Sequence, residues 1–138
     1  MNTLRKQSKH SRRRSAAALV ELSICLPLIV LLTFATIEAN SMLYFKQGLK
    51  IAAFEGVRVG LVPNANSTNV SAQVDLILNS RNINGYSVTT VPADVSTLLA
   101  GQNLRVTVSA GCDANSLFGS WFYAGRTFSE SVELVKDR

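Results

Sequence analysis

The chain has 138 residues, 14 Lys and Arg against nine Asp and Glu, one histidine and two cysteines, and a formal net charge of +5. Six of the basic residues (Arg5, Lys6, Lys9, Arg12, Arg13 and Arg14) precede Ala16, where there is no acid; from Ala17 onward eight basic residues meet nine acids. The excess charge therefore belongs to a leader, and a basic surface for nucleic acid is not supported. With no Cys/His cluster and His10 inside the leader, metal ligation and Cys/His catalysis have nothing to build on, and no cofactor is expected.

After Arg12, Arg13 and Arg14 comes an apolar run from Ala16 to Ile37, 22 residues in which Glu21 is the only ionised group. As a helix it is about 33 Å long, enough for a hydrocarbon core of about 30 Å. Its ten Leu, Ile, Val and Phe residues between Leu22 and Ile37 favour insertion by roughly 3–6 kcal/mol in total. Arginines directly before such a span keep that end cytoplasmic and send the residues after Ile37 outside. A secretory signal is a poorer fit: the apolar run exceeds the usual length, and only a loose small-residue site follows it, near Ala39. The small residues Ser15-Ala16-Ala17-Ala18 cluster before the run instead, so cleavage there removes the charges and leaves the helix.

Glu21 lies one helical turn beyond Ala17. An acid at this depth needs a partner or a route to water. A cut at Ala16–Ala17 supplies a new amine as one such partner; snorkelling, or the helix dipole at the start of the helix, is the other explanation. Pro27 removes one backbone hydrogen bond and is expected to bend or loosen the helix.

The stretch RRRSAAALVELSICLPLIVLLTFATIEA resembles the TadE branch of type IV pilin-related proteins, the minor pseudopilins of the tight-adherence (Flp) pilus. Leu26-Pro27, Ile37-Glu38 and the segment Ala52-Ala53-Phe54-Glu55-Gly56-Val57-Arg58-Val59-Gly60 carry the resemblance further. Two positions depart from the pattern: Ala16 stands where the family usually has Gly, and Leu22 where an aromatic follows the Glu. The resemblance implies processing by a prepilin peptidase between Ala16 and Ala17, with Glu21 meeting the amine of a neighbouring subunit. It also implies other pilin or pseudopilin subunits and the Tad assembly machinery as partners. The location it implies is the bacterial inner membrane, with a structural, non-enzymatic role. Two other readings remain: an uncleaved membrane-anchored binding domain, and a secreted protein cut near Ala39.

Beyond the span, Met42, Phe45, Leu49, Ala52, Ala53, Gly56 and Val59 form an apolar stripe at helical spacing, which extends the helix from about Ala17 to Gly60. Gly48, Ala52, Gly56 and Gly60 recur every four residues, a small ridge for close backbone approach. Its partner is either the protein's own sheet and second helix or another subunit's helix. Pro63 to Asn69 reads as a polar loop, and Ser71 to Ser80 as a short amphipathic helix. Tyr86–Val91, Leu104–Ala110 and Thr127–Val135 read as strands, with Glu130 interrupting the apolar face of the last. The loop 111–125 carries Leu117, Phe118, Trp121, Phe122 and Tyr123, which either cap the core or face a partner. The expected organisation is a basic leader (1–16), a transmembrane helix (17–39) and an exported domain (40–138). Its fold class is α+β: a long N-terminal helix on a small three-stranded antiparallel sheet with a short second helix. Asp75, Asp94, Asp113, Glu130 and Glu133 have no catalytic spacing, and no nucleophile elbow or phosphate-binding glycine loop is present.

Overall fold

The computed structural model describes residues 4–116, 119 and 121–137, with side chains from Arg14 onward. The fold is the expected α+β arrangement: helix α1 (Leu4–Gly60), helix α2 (Ser67–Ser80), and strands β1 (Tyr86–Val91), β2 (Asn103–Gly111) and β3 (Thr127–Val135). By internal contact the chain divides into two units, 1–37 and 38–138.

In the first unit, α1 begins at Leu4, not near Ala17. The leader contains neither Gly nor Pro between Leu4 and Ala16, and its Lys, Arg and Gln residues are good helix formers, so nothing local stops propagation.

The second unit is a three-stranded antiparallel sheet in the order β1-β2-β3, with the outer part of α1 and α2 completing its core. On β2 the side chains alternate strictly: Leu104, Val106, Val108 and Ala110 are buried, and their intervening neighbours are not. The register places Val88 and Val108, Val106 and Val132, Leu104 and Leu134, and Ala110 and Phe128 opposite one another, which gathers the apolar side chains onto one face.

Met42, Phe45, Leu49, Ala52, Ala53 and Val57 of α1 join Val70, Val74 and Leu78 of α2 and the β2 face in one core. Here the stripe differs from expectation at its end: Val57 is fully buried and Val59 only half-buried. At 3.6 residues per turn, Val59 lies about 100° around the helix from Met42, whereas Val57 lies about 60° away and Gly60 about in line. Glu130 also finds its reason. It lies on the core side of β3, opposite Val108, and its carboxylate meets Lys46 Nζ of α1 at 3.3 Å.

Helix α2 starts four residues before the expected Ser71. Asn66 has extended backbone, and its side-chain oxygen accepts from the N–H of Asn69 at 2.8 Å, capping the first turn. Tyr86 at the start of β1 donates its hydroxyl to Asp75 of α2 at 2.8 Å. That hydrogen bond, then burial, then the nearby negative charge hold the phenol above its ordinary pKa. Between β1 and β2, Val95 and Leu98 fold inward and add to the core, pinned by Asp94, whose side chain accepts from the Ser96 N–H at 3.0 Å.

Candidate functional site

Two stretches carry chemistry, and each belongs to its own unit. The first is the apolar part of α1. Among the described residues, this is the one helix long and apolar enough to cross a membrane. Ile24, Leu28 and Leu32 are each about two-thirds or more exposed, so the run is not a hydrophobic core of its own unit. Its three hydroxyl side chains are satisfied within the helix. Ser23 donates to the Leu19 carbonyl at 2.7 Å, Thr33 to that of Ile29 at 2.8 Å and Thr36 to that of Thr33 at 2.8 Å. In hydrocarbon an unpaired hydroxyl costs several kcal/mol on the order of a lost hydrogen bond in an apolar solvent. The segment therefore brings no unmet hydroxyl into a bilayer. Pro27 lies inside the helix without ending it.

Ala16, Ala17 and Glu21 lie on this exposed helix. Glu21 is one turn from Ala17 and takes part in none of the ion pairs among the described residues. Arg14 is exposed, and the side chains of Arg12 and Arg13 lie outside the described residues. What this arrangement can do chemically is limited and definite. It presents one carboxylate on the flank of an apolar rod, accessible to a cation from outside the chain.

The second stretch is the outer part of α1 with the surfaces around it. The small-residue ridge faces inward, onto the chain's own elements. A Cβ at Gly56 would meet Val74 Cγ2 at 2.7 Å, with Val106 and Val70 at 3.5 Å. At Gly60 it would collide with Leu104 and touch Val70 at 3.0 Å, and at Gly48 it would meet Ile83 Cδ1 at 2.6 Å. Ala52 is fully buried between them. The glycines let side chains of α2, of β2 and of the turn after α2 seat directly against the α1 backbone, which is where the ridge is used in this chain. The opposite side of the same helix leaves Leu43, Tyr44, Ile51 and Phe54 exposed, with the Arg81 guanidinium 5.4 Å from the Tyr44 ring.

A contact that sequence periodicity does not reveal stands at the start of this unit. Glu38 is the only buried charged residue among those described, 9% exposed, and its Oε1 accepts the backbone N–H of Phe122 at 3.0 Å. The partners are 84 positions apart, so no local pattern signals the pairing. The loop aromatics divide between the two expected roles. Tyr123 packs on the core, edge-on to Phe128 at 6.0 Å, while Trp121 is 83% and Phe122 54% exposed. Leu117 and Phe118 lie outside the described residues.

Cys25 is exposed and Cys112 buried, and both are free thiols; burial, more than the neighbouring Asp113, raises the Cys112 pKa. Among the described residues no cluster of three His, Cys, Asp or Glu side chains could hold a metal ion.

Comparison with known proteins places one part of the chain. Residues 16–58 match the family model described as TadE-like protein, a match that opens on Ala16 and includes Ala17, Glu21, Pro27 and the first three members of the small ridge. No curated protein and no solved structure matches the chain.

Proposed function

We propose, taking the TadE-like segment at residues 16–58 as premise, that this protein is a pseudopilin acting structurally in assembly of a Tad-type pilus. A TadE-like match together with a long apolar N-terminal helix fits a Tad pilus-related membrane protein; the finer reading concerns how it is processed and used. The chain enters the inner membrane with Arg12, Arg13 and Arg14 on the cytoplasmic side. A prepilin peptidase cuts between Ala16 and Ala17, leaving residues 17–39 as the transmembrane helix and 40–138 as the exported domain.

The observation that carries this reading is the placement of Glu21. It is the only acid within the apolar run, it has no ion-pair partner among the described residues, and it stands one turn from the residue that becomes the new N-terminus. A carboxylate on a lipid-facing helix is costly, by about 2.5–3.5 kcal/mol at the bilayer centre and less near the ends. A neighbouring subunit's α-amine offsets that cost only when two processed chains lie side by side, so the charge favours association over dispersal. No catalytic group is needed for this, and the partners are other pilin or pseudopilin subunits and the Tad assembly machinery.

The test is Glu21→Ala. Insertion should persist, since removal of a charge makes the span more apolar, while recovery of the protein with sheared fibres should be lost. Undiminished recovery would remove the charge-pairing role. A second reading, an uncleaved anchored domain that binds a ligand through its aromatic loop, is favoured by the exposure of Trp121.

A further inference from the structure

The exposure of Trp121 and Phe122 has a second feature beside it: the backbone that carries them is fixed. Phe122 N–H donates to Glu38 at 3.0 Å. Tyr123, the next residue, is seated against Phe128, whose ring lies tilted against that of Phe45 of α1 with centroids 5.9 Å apart. Gly125, in the left-handed region at φ +67°, donates its N–H to the Asp113 carboxylate at 3.0 Å. The Arg126 N–H closes the turn onto the Tyr123 carbonyl at 3.2 Å. The segment 121–125 is thus held by one buried carboxylate, one aromatic contact and one loop carboxylate, with its two largest apolar side chains turned to solvent.

A single exposed aromatic needs no explanation. Two adjacent ones on a pinned backbone leave a fixed apolar surface unburied. Their place names the occupant. Glu38 directly follows Ile37, the last residue of the apolar run, in the chain. A run of about 33 Å fills a hydrocarbon core of about 30 Å, so Glu38 stands where the headgroups begin. Tryptophan prefers this zone, with its ring apolar and its N–H wet. Other exposed apolar residues of the domain, such as Leu76, Val91 and Leu99, have no such tie to the end of the span.

We infer that Trp121 and Phe122 form an interfacial anchor that dips into the outer headgroup–acyl boundary of the same bilayer that α1 crosses. Glu38 is its positioning residue: it fixes the loop at the membrane surface through the Phe122 amide. The inference rests on the membrane-spanning reading of α1, and the experiment separates the two.

Trp121 is the only tryptophan, so the unmodified full chain reports on the loop directly. It is reconstituted in phosphatidylcholine vesicles whose lipids carry a quencher either near the glycerol or near the acyl terminus. Trp121 emission should be quenched severalfold more by the shallow label than by the deep one, and only weakly by iodide in the water. A fluorophore on the exposed Cys25, with the buried Cys112 left unlabelled under native conditions, should be quenched by the deep lipid. If the Cys25 probe responds and Trp121 is quenched by iodide alone, the anchor is wrong and the span stands. If Trp121 is shielded from iodide and from both lipids, a protein surface covers it and the anchor is again wrong. If the Cys25 probe ignores the deep lipid, the spanning reading falls and takes the anchor with it.

Discussion

Gly48 and Gly56 lie on the same ridge of the same helix, yet the same substitution should act differently at each. Replacing a helical glycine by alanine gains about 1 kcal/mol of helix propensity. At Gly56 the new methyl would stand 2.7 Å from Val74 Cγ2, with Val70 and Val106 behind it at 3.5 Å. All three valines are fully buried, and β-branched side chains on helix and strand have little rotamer freedom with which to yield. Overpacking of this kind costs about 1–3 kcal/mol, so Gly56→Ala should be destabilising on balance, by up to about 2 kcal/mol. At Gly48 the obstacle is the terminal methyl of Ile83 at 2.6 Å, with Arg81 Cδ at 3.4 Å. The first is the end of a longer side chain and the second part of a flexible one, and shifting Ile83 costs about 0.5–1.5 kcal/mol. Gly48→Ala should therefore fall within about 0.5 kcal/mol of wild type. The assay is thiol labelling of Cys112, which is fully buried, across a urea gradient in detergent micelles with Cys25 replaced by Ser. Equal shifts for both variants, or a Gly56→Ala stabilised by the full propensity gain, would refute the close-approach role of Gly56.

Asn66→Ala should destabilise α2 by about 1 kcal/mol through loss of its cap to the Asn69 N–H, read by the same labelling. Glu38→Ala removes the acceptor of the Phe122 N–H and should speed hydrogen exchange at that amide severalfold, with the β2 amides unchanged. Glu133 is held below its ordinary pKa by hydrogen bonds from Arg105 and then Asn103, and Asp94 by its bonds to the Ser96 side chain and backbone. A depressed carboxylate stabilises the fold above its unfolded pKa of about 4, and that contribution is lost as pH falls through the folded value. Urea midpoints should therefore drop below about pH 4, and Glu133→Gln combined with Asp94→Asn should flatten that dependence.

Much of the fold was legible because it is written in local periods. The unbroken run from Ala16 to Ile37, the stripe from Met42 to Gly56 and the alternation from Leu104 to Ala110 each follow from side chains a few positions apart. The start of α2 was hidden because Asn66, Ser67 and Thr68 suit a loop as well as a capped first turn. Glu130 looked like a flaw in its strand because the residue that accounts for it, Lys46, lies on another element. The hold of Glu38 on the Phe122 amide leaves no periodic trace at all. The aromatic loop could not be divided into core and surface from composition, since Tyr123 turns inward only by virtue of where Phe128 stands.

The central claim is that the leader is removed while the apolar helix stays. The intact mass of the protein taken from native membranes tests it most directly. The account predicts a chain that begins at Ala17, with Glu21 as its fifth residue; a chain that still begins at Met1 in functional membranes would contradict it.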